Sequence, residues 1–316
     1  MPAADGPDLP RMGLGCMTMS WPGRHDEEPL QTLGAALDAG VTMLDTADRY
    51  GAGHNERLLA QVLRHRRDEV VPATKVGFAR SPDGRPADGR PESLQAAARA
   101  SLARLGVESV DLLYLHRVDP KVPVADSVGA LAELVTEGLA RHIGLSEVGP
   151  ATLRAAAAVH PIAALQSEYS LWSREPEVDV LPVCRELGVS FVAYGPLGKG
   201  FLAGALRSVA DVDQRLAGLP RLAPGNLEQN LPIVDDLARV AGRLGWTTAQ
   251  LSLAWVMAQG VVPIPSSARL AHLADNLGAL GVQLSEGDLA ELDQLAPQGV
   301  AVGTRKSPDG MELTAP

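Results

Sequence analysis

Cysteine and long apolar runs are scarce in this 316-residue sequence, and each scarcity excludes a class of protein. The only two cysteines, Cys16 and Cys184, lie far apart and in no CxxC or Cys/His spacing, so neither a disulfide framework nor a zinc site is indicated. No run of about 18 uninterrupted apolar residues is present that could cross a membrane. The polar, proline-containing residues 1–10 lack the apolar core of a secretory signal. We therefore expect a soluble protein of the reducing cytoplasm, without a metal site.

Basic residues are also fewer than acidic residues. Lysine and arginine number 28 against 38 aspartates and glutamates, which gives a formal net charge of −10 at pH 7. A nucleic acid or an anionic membrane would require a basic face, so we expect neither as a partner, although a local basic pocket for a phosphate remains compatible. The 32 glycines and 24 prolines predict many tight connections. Nothing in the sequence indicates an oligomer, so a monomer is the default expectation.

Helix-like and strand-like segments alternate from residue 30 onward with little between them, which is typical of parallel βα units. Residues 91–105 have the Ala/Leu/Arg composition of a strong helix, and residues 110–115 form an apolar run of strand length. Counting a first strand near residues 12–15, about eight strand-like segments follow one another, the number that a closed parallel barrel needs. A doubly wound open sheet is the alternative, but it would carry a GxGxxG turn after an early strand, and none appears.

No composition break or Ser/Gly linker divides the chain. We therefore predict a protein of the α/β class with a single-domain (β/α)8 TIM barrel over residues 12–295, preceded by an N-terminal segment, residues 1–11. Two long irregular segments, residues 78–90 and 201–229, are expected to be functional loops at the C-terminal rim. The C-terminal tail, residues 296–316, is polar with little periodicity, and we expect it either to be partly disordered or to fold back over a barrel mouth.

Ionisable side chains end three consecutive predicted strands. Asp45 ends the second strand (VTMLDTADRY), Lys75 the third (VPATKVG) and His116 the fourth (DLLYLH). Because the loops that follow the strands of such a barrel converge on its C-terminal rim, these side chains should share one mouth. Tyr50 lies five residues after Asp45 in a glycine-containing loop, from which its phenol could turn into the same mouth.

These four residues favour a tuned proton donor. A phenol with a pKa near 10 is a poor acid at neutral pH unless a nearby cation stabilises the phenolate. Lys75 could supply that cation, Asp45 could keep it charged, and His116 could hydrogen-bond a substrate carbonyl. Alone, each has a plainer interpretation: a turn cap, a solvent-facing lysine, a structural histidine and a packing tyrosine. Their joint arrival on neighbouring strand ends favours the catalytic interpretation.

Six segments follow one another in the order and spacing of the aldo-keto reductases: LDTADRYG, ATKVG, DLLYLHRVD, IGLSEV, QSEYSLWSR and AYGPLGKGFL. The sequence resembles this family from about residue 12 to residue 295, and within it the group that includes pyridoxal reductases and similar bacterial or fungal enzymes. The resemblance implies that Asp45, Tyr50, Lys75 and His116 are the catalytic residues. It also implies a dinucleotide held without a Rossmann fold, extended across the barrel mouth.

The resemblance further implies which residues hold that dinucleotide. Ser146 and Gln166 would bind the nicotinamide amide, and Tyr194 would lie flat against the nicotinamide ring. The loop after Tyr194 would bring backbone N–H groups close to the pyrophosphate, whereas without the catalytic four its glycines would indicate only a sharp turn. This loop consists of Gly195, Pro196, Leu197, Gly198, Lys199 and Gly200.

The loop after the last strand, IPSSARLAHLADN, bears on the choice between NADP(H) and NAD(H). Ala268 stands where relatives often carry a cation for the 2′-phosphate, but Arg269 beside it can supply a charge, or can equally be a solvated surface residue. We predict NADP(H) and leave NAD(H) open. Glu147, where many relatives carry Asn, removes a neutral amide from the nicotinamide side. The other residues assigned to this end of the cofactor are Ser266, Ser267 and His272 at the phosphate and Asp275 and Asn276 at the adenine.

The predicted reaction is the reduction of an aldehyde or ketone to an alcohol, in which NADPH gives a hydride to the carbonyl carbon while Tyr50 protonates the developing alkoxide. Two alternatives stay open: a cofactor-binding regulatory or sensor protein with slow turnover, and an unrelated barrel isomerase or hydrolase. Trp21 and Trp172 are expected to wall a pocket for a small carbonyl substrate, although Trp21 could equally pack the barrel rim. The substrate itself is not indicated, and pyridoxal is a candidate only through the subgroup likeness.

Overall fold

The computed structural model describes residues 8–23, 25–78, 87–312 and 314. Eight parallel strands form one sheet, and each strand is hydrogen-bonded to the next one along the chain. The strands are β1 Leu14–Gly15, β2 Met43–Asp45, β3 Val71–Val76, β4 Val110–Leu115, β5 Ala140–Ser146, β6 Ile162–Glu168, β7 Ser190–Tyr194 and β8 Val262–Ile264. After β8 the chain returns to β1, where Gly13 N–H donates to the Pro263 carbonyl at 3.0 Å and Gly15 N–H to the Pro265 carbonyl at 3.1 Å. These bonds close the sheet, and the predicted (β/α)8 barrel is confirmed.

Helices alternate with the strands and form the outer layer. They are α1 Glu27–Asp38, α2 His54–Arg66, α3 Pro91–Leu105, α4 Val124–Thr136, α5 Pro150–Ala157, α6 Val180–Leu187, α7 Asn226–Leu244, α8 Thr248–Ala258, α9 Leu270–Gly278, α10 Glu286–Leu295 and α11 Pro308–Glu312. Helix α10 was not expected from the sequence, although Ser285 and Asp288 cap its first turn reciprocally, a signal that the sequence carries. Helix α7 begins inside the segment expected to be irregular, because Glu228 accepts a bond from the Gly225 N–H and caps its start.

Side chains fill the interior of the barrel below its mouth. The inward-facing core is formed by Met43, Ala73, Leu112, Tyr114, Ala164, Val192 and Ile264. Tyr114 is completely buried, and a Cβ at Gly144 on the neighbouring strand would lie 2.4 Å from its ring, so that position requires glycine. Since alternate residues of each strand fill the interior, the polar side chains that end the strands are left at the rim.

Of the two alternatives for the C-terminal tail, folding back is what the described residues show. Val302 N–H donates to the Asn230 side chain at 2.8 Å, and Arg221 donates to the Gly303 carbonyl at 3.2 Å. Beyond that point Arg305 and Lys306 reach a glutamate at the end of β5. Residues 79–86 of the first irregular segment and residues 1–7 of the N-terminal segment lie outside the described residues. Within the described residues, no helix has the length and apolar character needed to cross a membrane.

Candidate active site

Three adjacent strands bring the four predicted catalytic side chains together. Asp45 closes β2, Lys75 lies in β3, and His116 directly follows β4. Lys75 Nζ donates to Asp45 Oδ1 at 2.5 Å and lies 3.4 Å from the Tyr50 hydroxyl oxygen. The rings of Tyr50 and His116 meet edge to face with centroids 6.1 Å apart. One ammonium therefore contacts both a carboxylate and a phenol, beside an imidazole.

The loop after β2 turns the Tyr50 phenol inward. Gly51, Ala52 and Gly53 adopt three consecutive positive φ values of 55°, 59° and 79°. A Cβ at Gly51 would lie 2.8 Å from the Ser20 Cβ, and one at Gly53 would lie 2.6 Å from the Arg104 side chain. Both the left-handed backbone and the close approach of these neighbours therefore require glycine at the two positions. The GxG spacing after Tyr50 sets the direction of its side chain.

The Lys75–Asp45 pair is almost completely enclosed, because the two residues are only 1% and 2% exposed. Burial lowers the pKa of Lys75, but the Asp45 carboxylate and the Tyr50 phenol together outweigh this effect and raise that pKa above its ordinary value. A second acceptor, the Thr46 carbonyl at 2.8 Å, also favours the charged ammonium. Lys75 is therefore held as a cation.

The pKa of Tyr50 departs from the expectation that Lys75 would make the phenol more acidic. Burial raises the pKa of Tyr50, and the lowering effect of Lys75 does not overcome it because the Asp45 carboxylate opposes that cation. The sequence-based expectation of a net lowering is therefore wrong for the protein alone. Desolvation decides the direction, since it disfavours the phenolate. Tyr50 carries its proton at neutral pH, which is the state that a proton donor needs.

His116 is held neutral. Burial lowers its pKa well below the ordinary value, and the nearby cations Lys75 and Arg117 lower it further. Its Nδ1 is buried without a hydrogen-bond partner among the residues that the structure describes. The Phe78 ring packs against the imidazole with centroids 5.2 Å apart. A neutral imidazole retains one N–H that can donate to a carbonyl oxygen.

The residues predicted for the nicotinamide already have partners within the protein. Ser146, which ends β5, accepts a bond from Arg117 Nη1 at 2.9 Å, so its own O–H is directed elsewhere. Gln166 donates from Nε2 to Asp45 Oδ2 at 2.7 Å and is thereby linked to one of the four predicted catalytic residues. Because an amide has separate donor and acceptor ends, Gln166 keeps its oxygen for a second partner. The sequence did not predict the link between Gln166 and Asp45.

The loop after β7 carries unused backbone donors. Lys199 has a left-handed φ of 59°, and the N–H groups of Leu197 and Lys199 donate to no other described residue. A Cβ at Gly198 would lie 2.7 Å from Trp172 Nε1, so this glycine is required by packing as well as by its φ of 55°. By contrast, only Glu168 Cγ, at 3.7 Å, approaches a Cβ built at Gly195. The loop therefore presents donors and little side-chain bulk.

The loop after β8 and the start of α9 hold the second group of predicted cofactor residues. Ser266 donates to the Gly15 carbonyl at 2.8 Å, and Ser267 donates to the Arg269 carbonyl at 2.9 Å. Arg269 is exposed and lines a cavity of about 480 Å³. The remaining three residues lie on α9: His272 is exposed, Asp275 is half-buried and accepts from Thr247, and Asn276 is buried.

The two predicted substrate tryptophans lie in different surroundings. Trp172 is 6% exposed, and its ring stacks on Phe201 with centroids 4.1 Å apart. Trp21 is half-buried, and the Arg215 guanidinium lies 4.1 Å from its ring centroid. Trp172 thus supports the loop after β7, and Trp21 contacts the 201–229 segment. A role for either ring in binding substrate stays a prediction.

A second charged cluster at the rim was not predicted as a site. It joins Glu147 after β5 to Arg305 and Lys306 of the tail, with nitrogen–oxygen distances of 2.7 and 2.8 Å. Arg117 lies directly after His116 and was also overlooked, although it follows the same strand end as a predicted catalytic residue. No periodicity marks Arg305 or Lys306 in the sequence, so only the expectation that the tail could fold over a mouth pointed toward them.

The sequence matches the profile described as the Aldo/keto reductase family over residues 11–297. A relative from Glycine max, described as probable aldo-keto reductase 1, is 40% identical over 309 residues, which cover 95% of this chain and 89% of the relative. Among solved structures, an aldo/keto reductase from Klebsiella pneumoniae in complex with NADP and acetate has a TM-score of 0.74 at 31% identity, with 95% of each chain covered.

A glycerol dehydrogenase from Gluconobacter oxydans has a TM-score of 0.85 at 27% identity, with 98% of this chain and 97% of that chain covered. The predicted family resemblance is confirmed, whereas the likeness to the pyridoxal reductase group stays a prediction. Since the profile spans the whole barrel and a relative is 40% identical, this chain belongs to the aldo/keto reductase family.

Proposed function

We propose that this chain reduces an aldehyde or ketone to an alcohol with NADPH, and that Tyr50 supplies the proton. The observation that carries the proposal is the position of Lys75 Nζ, 2.5 Å from Asp45 and 3.4 Å from the Tyr50 hydroxyl. A cation at this distance stabilises the phenolate that remains after Tyr50 gives up its proton. Bound NADPH supplies the hydride. The buried carboxylate holds the ammonium charged throughout, so the proton comes from the phenol.

His116 orients the carbonyl in this proposal. Because its imidazole is neutral, it can donate one hydrogen bond to the carbonyl oxygen without competing with Tyr50 as an acid. Its edge-to-face contact with the Tyr50 ring places both donors on the same side of the mouth. A carbonyl oxygen that accepts from both would have its developing negative charge stabilised as the alkoxide forms.

The residues at the rim fit an extended dinucleotide. The unused N–H groups of Leu197 and Lys199 suit the acceptor oxygens of a pyrophosphate, and Lys199 adds a positive charge. Arg269 is exposed and directly precedes α9. Its guanidinium and the N-terminus of the helix could both contact a 2′-phosphate. These donors, together with the NADP complex of the Klebsiella relative, support NADP(H) as the cofactor. In the proposed assignment the ring of Tyr194 faces the nicotinamide, with Ser146 and Gln166 at its amide.

A panel of small aliphatic and aromatic carbonyl compounds, followed at the absorbance band of NADPH, tests the reaction beside Tyr50→Phe. The wild type is expected to oxidise NADPH with at least one class, and Tyr50→Phe to lose about 10²- to 10⁴-fold in turnover while it still binds NADPH. Tyr169→Phe is the matched control, since it removes another buried phenol, whose partner is Glu177 in the segment between β6 and α6. Equal rates for wild type and Tyr50→Phe would contradict the role of Tyr50. A single burst without further turnover would favour the sensor alternative.

A further inference from the structure

Glu147 adopts an unusual backbone conformation directly after β5. Its φ is +58°, in the left-handed region that non-glycine residues rarely enter, and its side chain has no exposed surface. A strained residue of this kind persists only where its surroundings hold it firmly, and such residues concentrate at functional sites. We therefore infer the role of Glu147 from the hydrogen-bond partners of its side chain.

Five hydrogen bonds converge on the Glu147 carboxylate. Oε1 accepts from the Tyr194 hydroxyl at 2.7 Å, from the Glu168 N–H at 3.0 Å and from Arg305 Nη1 at 2.9 Å. Oε2 accepts from Arg305 Nη2 at 2.7 Å and from Lys306 Nζ at 2.8 Å. Burial would raise the pKa of Glu147, but Arg305 and Lys306 hold that pKa far below its ordinary value. The carboxylate is therefore ionised and fixed from both sides.

One of the five donors belongs to the aromatic ring that heads the loop after β7. The short bond to Glu147 holds the outer end of the Tyr194 ring, so the ring cannot tilt without breaking a hydrogen bond to a charged acceptor. The ammonium of Lys306 lies 5.8 Å from the centroid of the same ring. The C-terminal tail thus contacts both the carboxylate and the tyrosine that the carboxylate holds.

The charges around Glu147 also suit an anionic ligand. Glu147 and Glu168 are two carboxylates, and three cations lie within 4 Å of one or the other: Arg305, Lys306 and Lys199. The group therefore carries one net positive charge next to the glycine-rich loop. Without the two tail cations, Lys199 would be the one cation left for the two carboxylates, and the group would carry one net negative charge beside the loop proposed to bind phosphates, which it would repel.

We propose that Glu147 is a positioning residue for the Tyr194 ring and that Arg305 and Lys306 make the C-terminal tail part of the cofactor site. The inference rests on the proposed function in one respect, that the Tyr194 ring supports the nicotinamide. Glu147 acts through Tyr194 and the tail and takes no direct part in hydride or proton transfer. Glu147 fixes the orientation of the Tyr194 ring and holds the cations Arg305 and Lys306 beside the loop after β7.

A double-mutant cycle of Tyr194→Phe and Glu147→Gln tests the link between the two side chains. The readouts are the dissociation constant of NADPH, from quenching of tryptophan fluorescence, and the single-turnover rate of hydride transfer. Each single variant is expected to weaken NADPH binding about tenfold, the effect of losing one hydrogen bond to a charged group. Glu147→Gln keeps an oxygen that can accept from Tyr194 but removes the charge of the acceptor, so the loss in the double variant should be smaller than the sum of the two single losses. Additive losses, or unchanged dissociation constants, would overturn the proposal.

The tail is tested by Arg305→Met, with Arg154→Met as the control because Arg154 makes a similar two-pronged pair with Glu186 on the outer surface. Arg305→Met is expected to weaken NADPH binding and, without cofactor, to speed hydrogen exchange of the tail amides near residues 302–306. Tighter NADPH binding would overturn the proposal, since the tail would then compete with the cofactor. If Glu147→Gln fails to fold, Tyr194→Phe with Arg305→Met completes the cycle. A wild type that binds no NADPH would refute the proposed function itself, whereas a working wild type with unaffected variants would refute only this inference.

Discussion

Two buried carboxylates at the barrel rim are neutralised in different ways. Asp45 at the end of β2 meets one cation, Lys75, which the adjacent strand delivers at 2.5 Å. Glu147 after β5 meets two cations, Arg305 and Lys306, which lie 158 and 159 residues further along the chain. Strand order alone produces the first pair, whereas the second group depends on how the tail folds. The comparison indicates that neighbouring strands form the proposed proton-transfer end of the mouth, whereas the folding back of the C-terminal tail completes the proposed cofactor end.

The largest expected effect comes from removing the single cation of the first pair. Lys75→Met leaves Asp45 buried without a counter-ion, which is expected to lower the free energy of unfolding by about 3–5 kcal/mol. It also removes the charge that stabilises the Tyr50 phenolate, so we expect a loss of about 10²- to 10⁴-fold in kcat/KM. Denaturant unfolding and steady-state kinetics measure the two effects.

The control for Lys75→Met is Arg99→Met, since Arg99 and Glu137 form an exposed pair between outer helices. Such pairs contribute little because water screens them, so this variant should retain the stability and activity of the wild type. If Lys75→Met unfolds at the same denaturant concentration as the control, the buried Asp45 carboxylate is not stabilised by Lys75. The contrast between a carboxylate with one cation and a carboxylate with two would then be wrong.

A smaller effect is expected from removing one of the two cations of Glu147. In Arg305→Met the Glu147 carboxylate keeps three hydrogen-bond donors: Lys306, Tyr194 and the Glu168 N–H. It therefore retains one counter-ion. We expect the free energy of unfolding to fall by about 1.5–3 kcal/mol, the range for hydrogen bonds to charged groups. Denaturant unfolding beside Lys75→Met measures the difference. A loss as large as that of Lys75→Met would show that Lys306 does not compensate, and the comparison between one and two cations would fail.

The same contrast explains how much the sequence could predict. Helix α3 begins and ends at the predicted residues, because the left-handed Gly106 that follows it is a strong local stop signal. The strand-end positions of Asp45, Lys75 and His116 followed from the same local pattern together with the geometry of a barrel. These features depend on residues close to one another in the chain.

What could not be predicted depends on distance and burial. Glu147 and Arg305 pair across 158 residues, half of the length of the chain, and no periodicity in the polar tail marks the arginine. The direction of the Tyr50 pKa depends on how completely the phenol is enclosed, and composition or spacing does not give that quantity. Likewise, the bond from Gln166 to Asp45 joins β6 to β2 across the mouth, which only the closed barrel brings about.

The smallest effect is a loss of stability at acid pH that the second group should show. The folded-state pKa of Glu147 lies below its ordinary value of 4.5 because of Arg305 and Lys306, although burial acts in the opposite direction. A depressed folded-state pKa contributes stability above the unfolded pKa, and that contribution is lost as the pH falls through the folded-state value. The wild type should therefore lose its advantage over Glu147→Gln as the pH drops below about 4.5.

The expected slope is at most about 1.4 kcal/mol per pH unit, so between pH 4.5 and 3.5 the two free energies of unfolding should converge by about 1 kcal/mol. Glu186→Gln is the control, since its carboxylate pairs with Arg154 at the exposed outer surface. Thermal unfolding at half-unit steps of pH compares the three proteins. Two curves that stay parallel down to pH 3.5 would mean that Glu147 is not held ionised by the tail. Packing alone would then hold Glu147 in position, and Arg305 and Lys306 would have no electrostatic role at the proposed cofactor end.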